Sequence, residues 1–231
     1  MSITGTNKKN QVRRIFETIA PRYDLLNHLL SFGCDIYWRR KALRLTEVNK
    51  NSILLDVACG TGDVAIEAKK LGVKKVFGCD FSLNMLKLFQ KKNDLINTSL
   101  FQATAENMPV KTNSVTNITV AFGVRNFYDI GSGFRSFHNV LKKEGKLTIL
   151  EFALPKNFFF GAVYNFYFKK ILPLTGRIIS GDKEAYSYLP NSVEEFDEKI
   201  DLKKLLIETG FTEVRVSRLT FGIVQVIIAC K

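Results

Sequence analysis

Only two histidines, His28 and His138, and four cysteines occur in this chain of 231 residues. The cysteines (Cys34, Cys59, Cys79, Cys230) have no C-x-x-C spacing. That leaves neither a zinc-ligand set nor a disulfide framework, and it points to a reduced, cytoplasmic setting with no metal. Long apolar runs are missing too. The longest uncharged stretches are one of thirteen residues (Thr112 to Val124) and two of twelve (Asn157 to Phe168 and Leu219 to Cys230), short of the roughly 18 that a membrane span asks for. The polar, basic start MSITGTNKKNQVRR has no apolar stretch behind it to serve as a signal peptide. Internal repeats and low-complexity tracts are absent, and acidic residues are few against basic ones, giving a net charge of +12. Basic surfaces attract nucleic acid, anionic membranes or acidic substrates. Here the lysines pair on helix faces (Lys69-Lys70, Lys91-Lys92, Lys142-Lys143, Lys203-Lys204), as on an ordinary solvated surface.

What is present centres on LLDVACGTGD, Leu54 to Asp63. The run Ile53-Leu54-Leu55 suits a central parallel strand buried on both faces. Gly60 and Gly62 would let the backbone turn tightly and a ligand approach it, and Val64, Ala65, Ala68 and Leu71 mark the apolar stripe of a following helix. A second strand, Lys74 to Asp80, leads to a helix from Ser82 to Gln90. Asp80, eighteen residues beyond Gly62, stands where a nucleoside-binding sheet grips ribose hydroxyls. Further strands read at Ser99 to Gln102, Val115 to Phe122 and Lys146 to Phe152. A helix follows from Glu194 to Thr209 and stops at Gly210; Phe211 to Leu219 and Ile223 to Ala229 then form a hairpin. His138 falls in a helix from Phe134 to Leu141, in a packing position.

Asp56, four residues before Gly60, completes a D-x-x-x-G-x-G pattern that resembles the first motif of class I S-adenosylmethionine-dependent methyltransferases. Three longer blocks narrow the resemblance: VRRIFETIAPRYDLLNHLLSFGCDIYWRR, ENMPVKTNSVTNITVAFGVRN and LPLTGRIISGDKEAYSYLPNSVEEF. Together they are similar to the ubiquinone/menaquinone biosynthesis C-methyltransferases, which include the demethylmenaquinone methyltransferases, collinearly from about Val12 to Val224. The resemblance implies a single Rossmann-like α/β domain with a seven-stranded, mostly parallel sheet and an antiparallel edge hairpin. Its parts would be an N-terminal helical lid (1–45), a cofactor-binding core (46–153), a substrate-side insertion (154–193) and a closing helix and hairpin (194–231). It implies S-adenosylmethionine as cofactor, held by Asp56, Gly60, Thr61, Gly62, Asp80, Phe81, Thr104, Ala105 and Ala121. It also implies C-methylation of a polyprenylated quinol, naphthoquinol or benzoquinol, in respiratory quinone biosynthesis. Three positions depart from the family pattern: Thr104 for Asn or Asp, Ala121 for Ser, and Asp35 for the His of S-x-G-x-H-x-x-W, whose Ser31, Gly33 and Trp38 are kept.

Methyl transfer to carbon is an in-line displacement in which positioning supplies much of the rate, and a quinol oxyanion needs stabilising in a dry pocket. Arg125 and Asn126, just past the fourth strand, are assigned to the quinol oxygens. Tyr23 or His28 in the N-terminal block, a carboxylate, or bulk water would take the proton.

The stretch Phe152 to Phe168 holds eight aromatics in seventeen residues and runs into Lys169, Lys170 and Arg177. That suits a greasy channel, a core helix or a helix at an anionic membrane surface. Phe158, Phe159, Phe160, Tyr164, Tyr167 and Phe168 would form its wall. A transient contact with the inner face of the membrane follows, nucleic acid is not expected as a partner, and a homodimer stays open. The alternatives are a methyltransferase of another small apolar substrate and a nicotinamide-dependent reductase. The second is disfavoured because the one Tyr-x-x-x-Lys pair, Tyr37 and Lys41, precedes the glycine loop.

Overall fold

Strand β1 (Ile53–Val57) is buried along nearly its whole length. In the computed structural model, which describes residues 13–18, 20, 23–93, 98–157, 161, 164, 166, 167 and 183–231, it lies at the middle of one sheet. β2 (Lys75–Asp80) and β4 (Val115–Ala121) flank it in parallel, placing Leu55 beside Phe77 on one side and Ile118 on the other. β3 (Ser99–Gln102) adds to β2, and β5 (Leu141–Phe152) to β4, again in parallel. β7 (Val224–Cys230) runs antiparallel against β5, and β6 (Thr212–Leu219) antiparallel against β7. The order is β3-β2-β1-β4-β5-β7-β6. Because the chain leaves β1 toward β2 on one side and returns as β4 on the other, a crevice opens at the carboxyl ends of β1 and β4. Open α/β sheets bind ligands there.

Helices cover both faces: α1 (Tyr23–Leu30), α2 (Cys34–Leu45), α3 (Asp63–Lys70), α4 (Leu83–Asn93), α5 (Ile130–Val140), α6 (Lys183–Lys199) and α7 (Leu202–Glu208). Val64, Ala65 and Ala68 of α3 are buried with Leu54, Val73, Val76 and Phe89. A second cluster joins Phe134 and Phe137 of α5 to Ile118, Leu147, Leu206 and Phe211. His138 stacks edge-on against Phe211 with ring centroids 5.3 Å apart, the packing role read from its position.

Several element boundaries differ from the sequence reading: the helix read from Glu194 begins at Lys183, and the strand read from Lys146 begins at Leu141. The helix over Glu194 to Thr209 is two helices, because Asp201 caps α7 by accepting a hydrogen bond from the Lys204 amide at 3.0 Å. A carboxylate that satisfies a free amide competes with helix continuation. α5 begins four residues earlier than its apolar stripe implies, capped by Asp129, which accepts from the Ser132 amide at 2.9 Å.

Of the aromatic stretch, Phe158, Phe159, Phe160, Phe168, Lys169, Lys170 and Arg177 lie outside the described residues. Tyr164 is buried. The Tyr167 hydroxyl donates to the Leu30 carbonyl at 2.7 Å, so these two side chains pack inward.

Candidate cofactor and substrate site

β1 and β4 leave the sheet through residues in the left-handed region, Ala58 (φ 52) and Phe122 (φ 57). Such backbone is costly for residues other than glycine and clusters at functional sites. The two exits crowd each other, since a Cβ on Gly123 would lie 2.7 Å from that of Ala58. Beyond them is a cavity of about 210 Å³ walled by Tyr23, Gly60, Asp80, Phe81, Ala103 to Glu106, Ala121, Phe122 and Asn126, among others. Phe16 meets Phe81 edge-on at 6.2 Å and lies 6.1 Å from Tyr23, so residues from the N-terminal block close one side.

Asp80, the last residue of β2, accepts hydrogen bonds from the Gly60 amide (2.9 Å) and the Ser82 amide (2.8 Å). Burial pushes its carboxyl up to about 6, against those amide bonds. Asp56 is buried on β1; one oxygen accepts from the Thr119 hydroxyl at 2.7 Å and the other has no partner. Burial raises it to about 7. Asp56 lines a small hollow of about 20 Å³ next to the main cavity, with Tyr23, Arg39, Thr61, Asp63 and Ala121. A buried carboxylate with an unmet acceptor is costly unless a donor or cation is brought to it. S-adenosylmethionine brings an ammonium, a sulfonium, a vicinal diol and an aromatic base, and the wall offers acceptors and apolar surface to match. The residues present fit that group.

The sequence-derived residues do not all face the cavity. Gly60, Asp80, Phe81, Thr104, Ala105 and Ala121 line it, and Asp56 and Thr61 line the adjoining hollow. Gly62 lines neither. A Cβ there would come within 2.4 Å of the Phe89 ring, so this glycine serves helix packing rather than ligand approach. The Thr61 hydroxyl donates a short hydrogen bond to Asp24 of α1. Lys92 then bridges Asp24 (2.6 Å) and Asp63 (3.3 Å), fastening α1 to the glycine loop.

Arg125 also departs from expectation. It is buried, and its guanidinium donates to Glu151 (2.5 Å) and to the Phe122 carbonyl (2.8 Å). Glu151 is fully buried on β5, and this pair holds the turn Val124–Asn126 from behind. Arg125 is therefore corrected from a direct grip on substrate to a support. Asn126 does line the cavity, and the Tyr188 hydroxyl donates to its Oδ1 at 2.8 Å. Tyr23 lines it as well, but burial raises its phenol, which keeps it protonated at neutral pH and leaves little phenolate to act as a base. His28 is held at 2.7 Å by Asp35 and lies outside the cavity wall.

Asp35 explains its own substitution. It also takes hydrogen bonds from Arg39 (2.6 Å) and Ser31 (2.9 Å). Burial opposes its charge, but Arg39, Ser31 and His28 outweigh burial and hold its carboxyl below the usual range. The aspartate ties α1 to α2.

Sequence reasoning missed Phe16, Phe122, Tyr188 and Glu151. Glu151 closes a strand with a carboxylate, the same sign that marked Asp80. The others gave no local sign, because each reaches the site only through tertiary contact.

The ubiE/COQ5 methyltransferase family matches residues 4–231. The chain is 40% identical over 235 residues to the ubiquinone/menaquinone biosynthesis C-methyltransferase UbiE of Geotalea uraniireducens, covering 98% of each. It is 38% identical to the demethylmenaquinone methyltransferase of Chlorobaculum parvum, covering 100% of this chain and 96% of that one. Among solved structures it resembles an S-adenosylmethionine-dependent methyltransferase from Aquifex aeolicus, with a TM-score of 0.63, 17% identity and coverage of 85% and 91%. That structural likeness speaks for the fold, while the family match sets a nicotinamide-dependent reductase aside. With its glycine loop, its strand-end carboxylates and a match along nearly its full length, the chain belongs to the ubiE/COQ5 methyltransferase family.

Proposed function

We propose that this S-adenosylmethionine-dependent methyltransferase methylates a ring carbon of a polyprenylated quinol, demethylmenaquinol or its benzoquinol counterpart. The names of its relatives support this substrate class, and Asn126 is the observation that carries it. With Oδ1 taken by Tyr188, Asn126 keeps N–H donors that it could offer to whatever occupies the cavity it lines. A quinol hydroxyl that loses its proton pushes charge onto the adjacent carbon, and donors fixed beforehand at that oxygen stabilise it.

Bound S-adenosylmethionine supplies an electrophilic methyl carbon on a sulfonium. Asp80 would accept from the ribose hydroxyls, and the unpartnered oxygen of Asp56 would face the amino-acid end. Ala103, Thr104 and Ala105, with Phe16 and Phe81, would enclose the adenine; the single Thr104 hydroxyl offers one bond where an amide offers more. Arg125 and Glu151 hold the Asn126 turn. Tyr23 would stay protonated beside the ring. Asp80 and Glu106 are the wall carboxylates among the described residues, and both already accept backbone amides. The quinol proton is left to water at the mouth.

The test is methyl transfer from labelled cofactor to demethylmenaquinol and, separately, to the oxidised quinone. Product is expected from the reduced ring alone, and Asn126→Ala should lower turnover about 10²-fold, as for the loss of one oxyanion donor. Equal turnover of both rings contradicts the mechanism. Turnover of neither rejects the substrate class. A prenyl tail keeps the quinol in a bilayer, so the protein must also work at a membrane surface; among the described residues no helix is long and apolar enough to cross one.

A further inference from the structure

The two most exposed large apolar side chains among the described residues are Phe32 (82%) and Phe221 (68%). Both stand at turn tips in the left-handed region. Phe32 (φ 52) precedes Gly33 (φ 73), while Thr220 (φ 47) and Phe221 (φ 56) precede Gly222 (φ 92). Exposing a phenylalanine and placing it in left-handed backbone are each unfavourable, so two coincidences of both ask for a use.

The tips sit on one apolar layer. Phe32 lies 6.1 Å from the Tyr167 ring, and Tyr167, Leu30, Phe152 and Ile223 all pack against the buried cluster of Ile15, Tyr164 and Val193. The Trp38 indole donates to the Thr220 hydroxyl at 2.7 Å, joining the second turn to α2. Trp38 and Phe152 in turn touch Phe122, at ring distances of 6.1 and 4.6 Å, and Phe122 is part of the cavity wall. The layer thus runs from the site to the tips. Leu25 and Leu29, one turn apart on α1, are exposed too, and the Leu29 carbonyl accepts from the Phe32 amide at 3.1 Å. Cations border it: exposed Arg218 donates to the Leu154 carbonyl at 3.0 Å, and exposed Lys156 follows Pro155, which packs at Gly222. The nearby Asp197 carboxylate is engaged by the Leu154 amide.

We propose that Phe32 and Phe221, with Leu25 and Leu29, seat the protein on an anionic bilayer and bring the cavity to a quinol dissolved there. The apolar tips would enter the headgroup region while Arg218 and Lys156 meet lipid phosphates. This rests on the reading of the substrate as lipid-tailed.

The experiment is flotation of the full chain with vesicles of phosphatidylglycerol and phosphatidylcholine at low salt, without cofactor or quinol. Vesicle binding is thereby read independently of methyl transfer, and a failure of one leaves the other legible. The native protein should float. The variant carrying Phe32→Asn and Phe221→Asn should bind about tenfold less or weaker, since two aromatic side chains no longer leave water. Asparagine is at home in left-handed backbone, so its melting temperature and cofactor affinity should be unchanged. Lys156→Glu with Arg218→Glu should weaken binding to anionic vesicles. Native protein that never floats, or a double variant that floats equally well, overturns the proposal. So does a dimer, seen by sedimentation, that the double variant dissociates, because the face would then meet a second copy.

Discussion

Two sets of buried carboxylates in this protein are treated in opposite ways. Between α1 and α2, Asp35 is surrounded by Arg39, His28 and Ser31, and beneath the substrate side Glu151 is clamped by Arg125. At the strand ends, Asp56 has an oxygen with no partner and Asp80 meets only hydroxyl-free backbone amides. The first set is closed and its charges are matched. The second carries no cation within salt-bridge distance among the described residues, and burial lifts Asp56 to about 7 and Asp80 to about 6. Charges matched from within hold a fold together; charges left unmatched at a cavity edge wait for a ligand that brings the other half.

The sharpest way to break that contrast is at Glu151. Glu151→Ala leaves the Arg125 guanidinium buried without its anion, and chemical denaturation should show a loss of about 3–5 kcal/mol. Asp56→Asn is the opposite case: at pH 8 the ligand-free protein should be no less stable than native, since a buried uncompensated charge is removed. A destabilised Asp56→Asn protein would erase the distinction.

A smaller effect belongs to Asp80. Asp80→Ala removes the proposed ribose acceptor and should weaken cofactor binding by about 1.5–3 kcal/mol, the range for hydrogen bonds to charged groups. It also frees the Gly60 and Ser82 amides, so the loss should sit toward the upper end. Calorimetry showing native affinity would move the ribose elsewhere.

The smallest concerns pH. Asp56 and Asp80 have folded-state values above the unfolded value of about 3.9, so the folded protein binds more protons than the unfolded chain between about pH 4 and 7. Their contribution to stability is complete below that window and is lost as pH rises through about 6 to 7. Cofactor binding runs the other way, because a cationic ligand and a diol both favour the ionised carboxylates. Affinity should be roughly tenfold weaker at pH 6 than at pH 8, and Asp56→Asn should flatten the upper part of that profile. A native profile that is flat across this range contradicts ligand contact with these two groups.

The sheet and the strand-end residues that line the cavity were legible because their causes are local. A strand buried on both faces needs a continuous apolar run, and a strand-end carboxylate sits at a fixed distance from its glycine loop. What escaped depended on residues far apart in the chain. Arg125 meets Glu151 across 26 positions, and Tyr188 meets Asn126 across 62. Neither partner carries a periodicity that announces the other. The break at Asp201 was in principle readable, since Asp followed three residues later by a free amide is a capping signal. The apolar stripe running past it masked that signal.

Gly62 and Gly78 carry one more consequence. A methyl group on Gly62 would strike the Phe89 ring at 2.4 Å, and one on Gly78 would sit 3.0 Å from it. Phe89 is absent from the cavity wall, yet it fills the space that those two glycines leave behind the loop. A smaller residue at 89 hollows the ground under the loop, whereas an alanine at Gly78 would also meet Leu100 at 2.8 Å and one at Gly62 would be strained at φ 93 whatever stands at 89. A random screen for lost methyl transfer will therefore return Phe89 beside the residues that touch the cofactor.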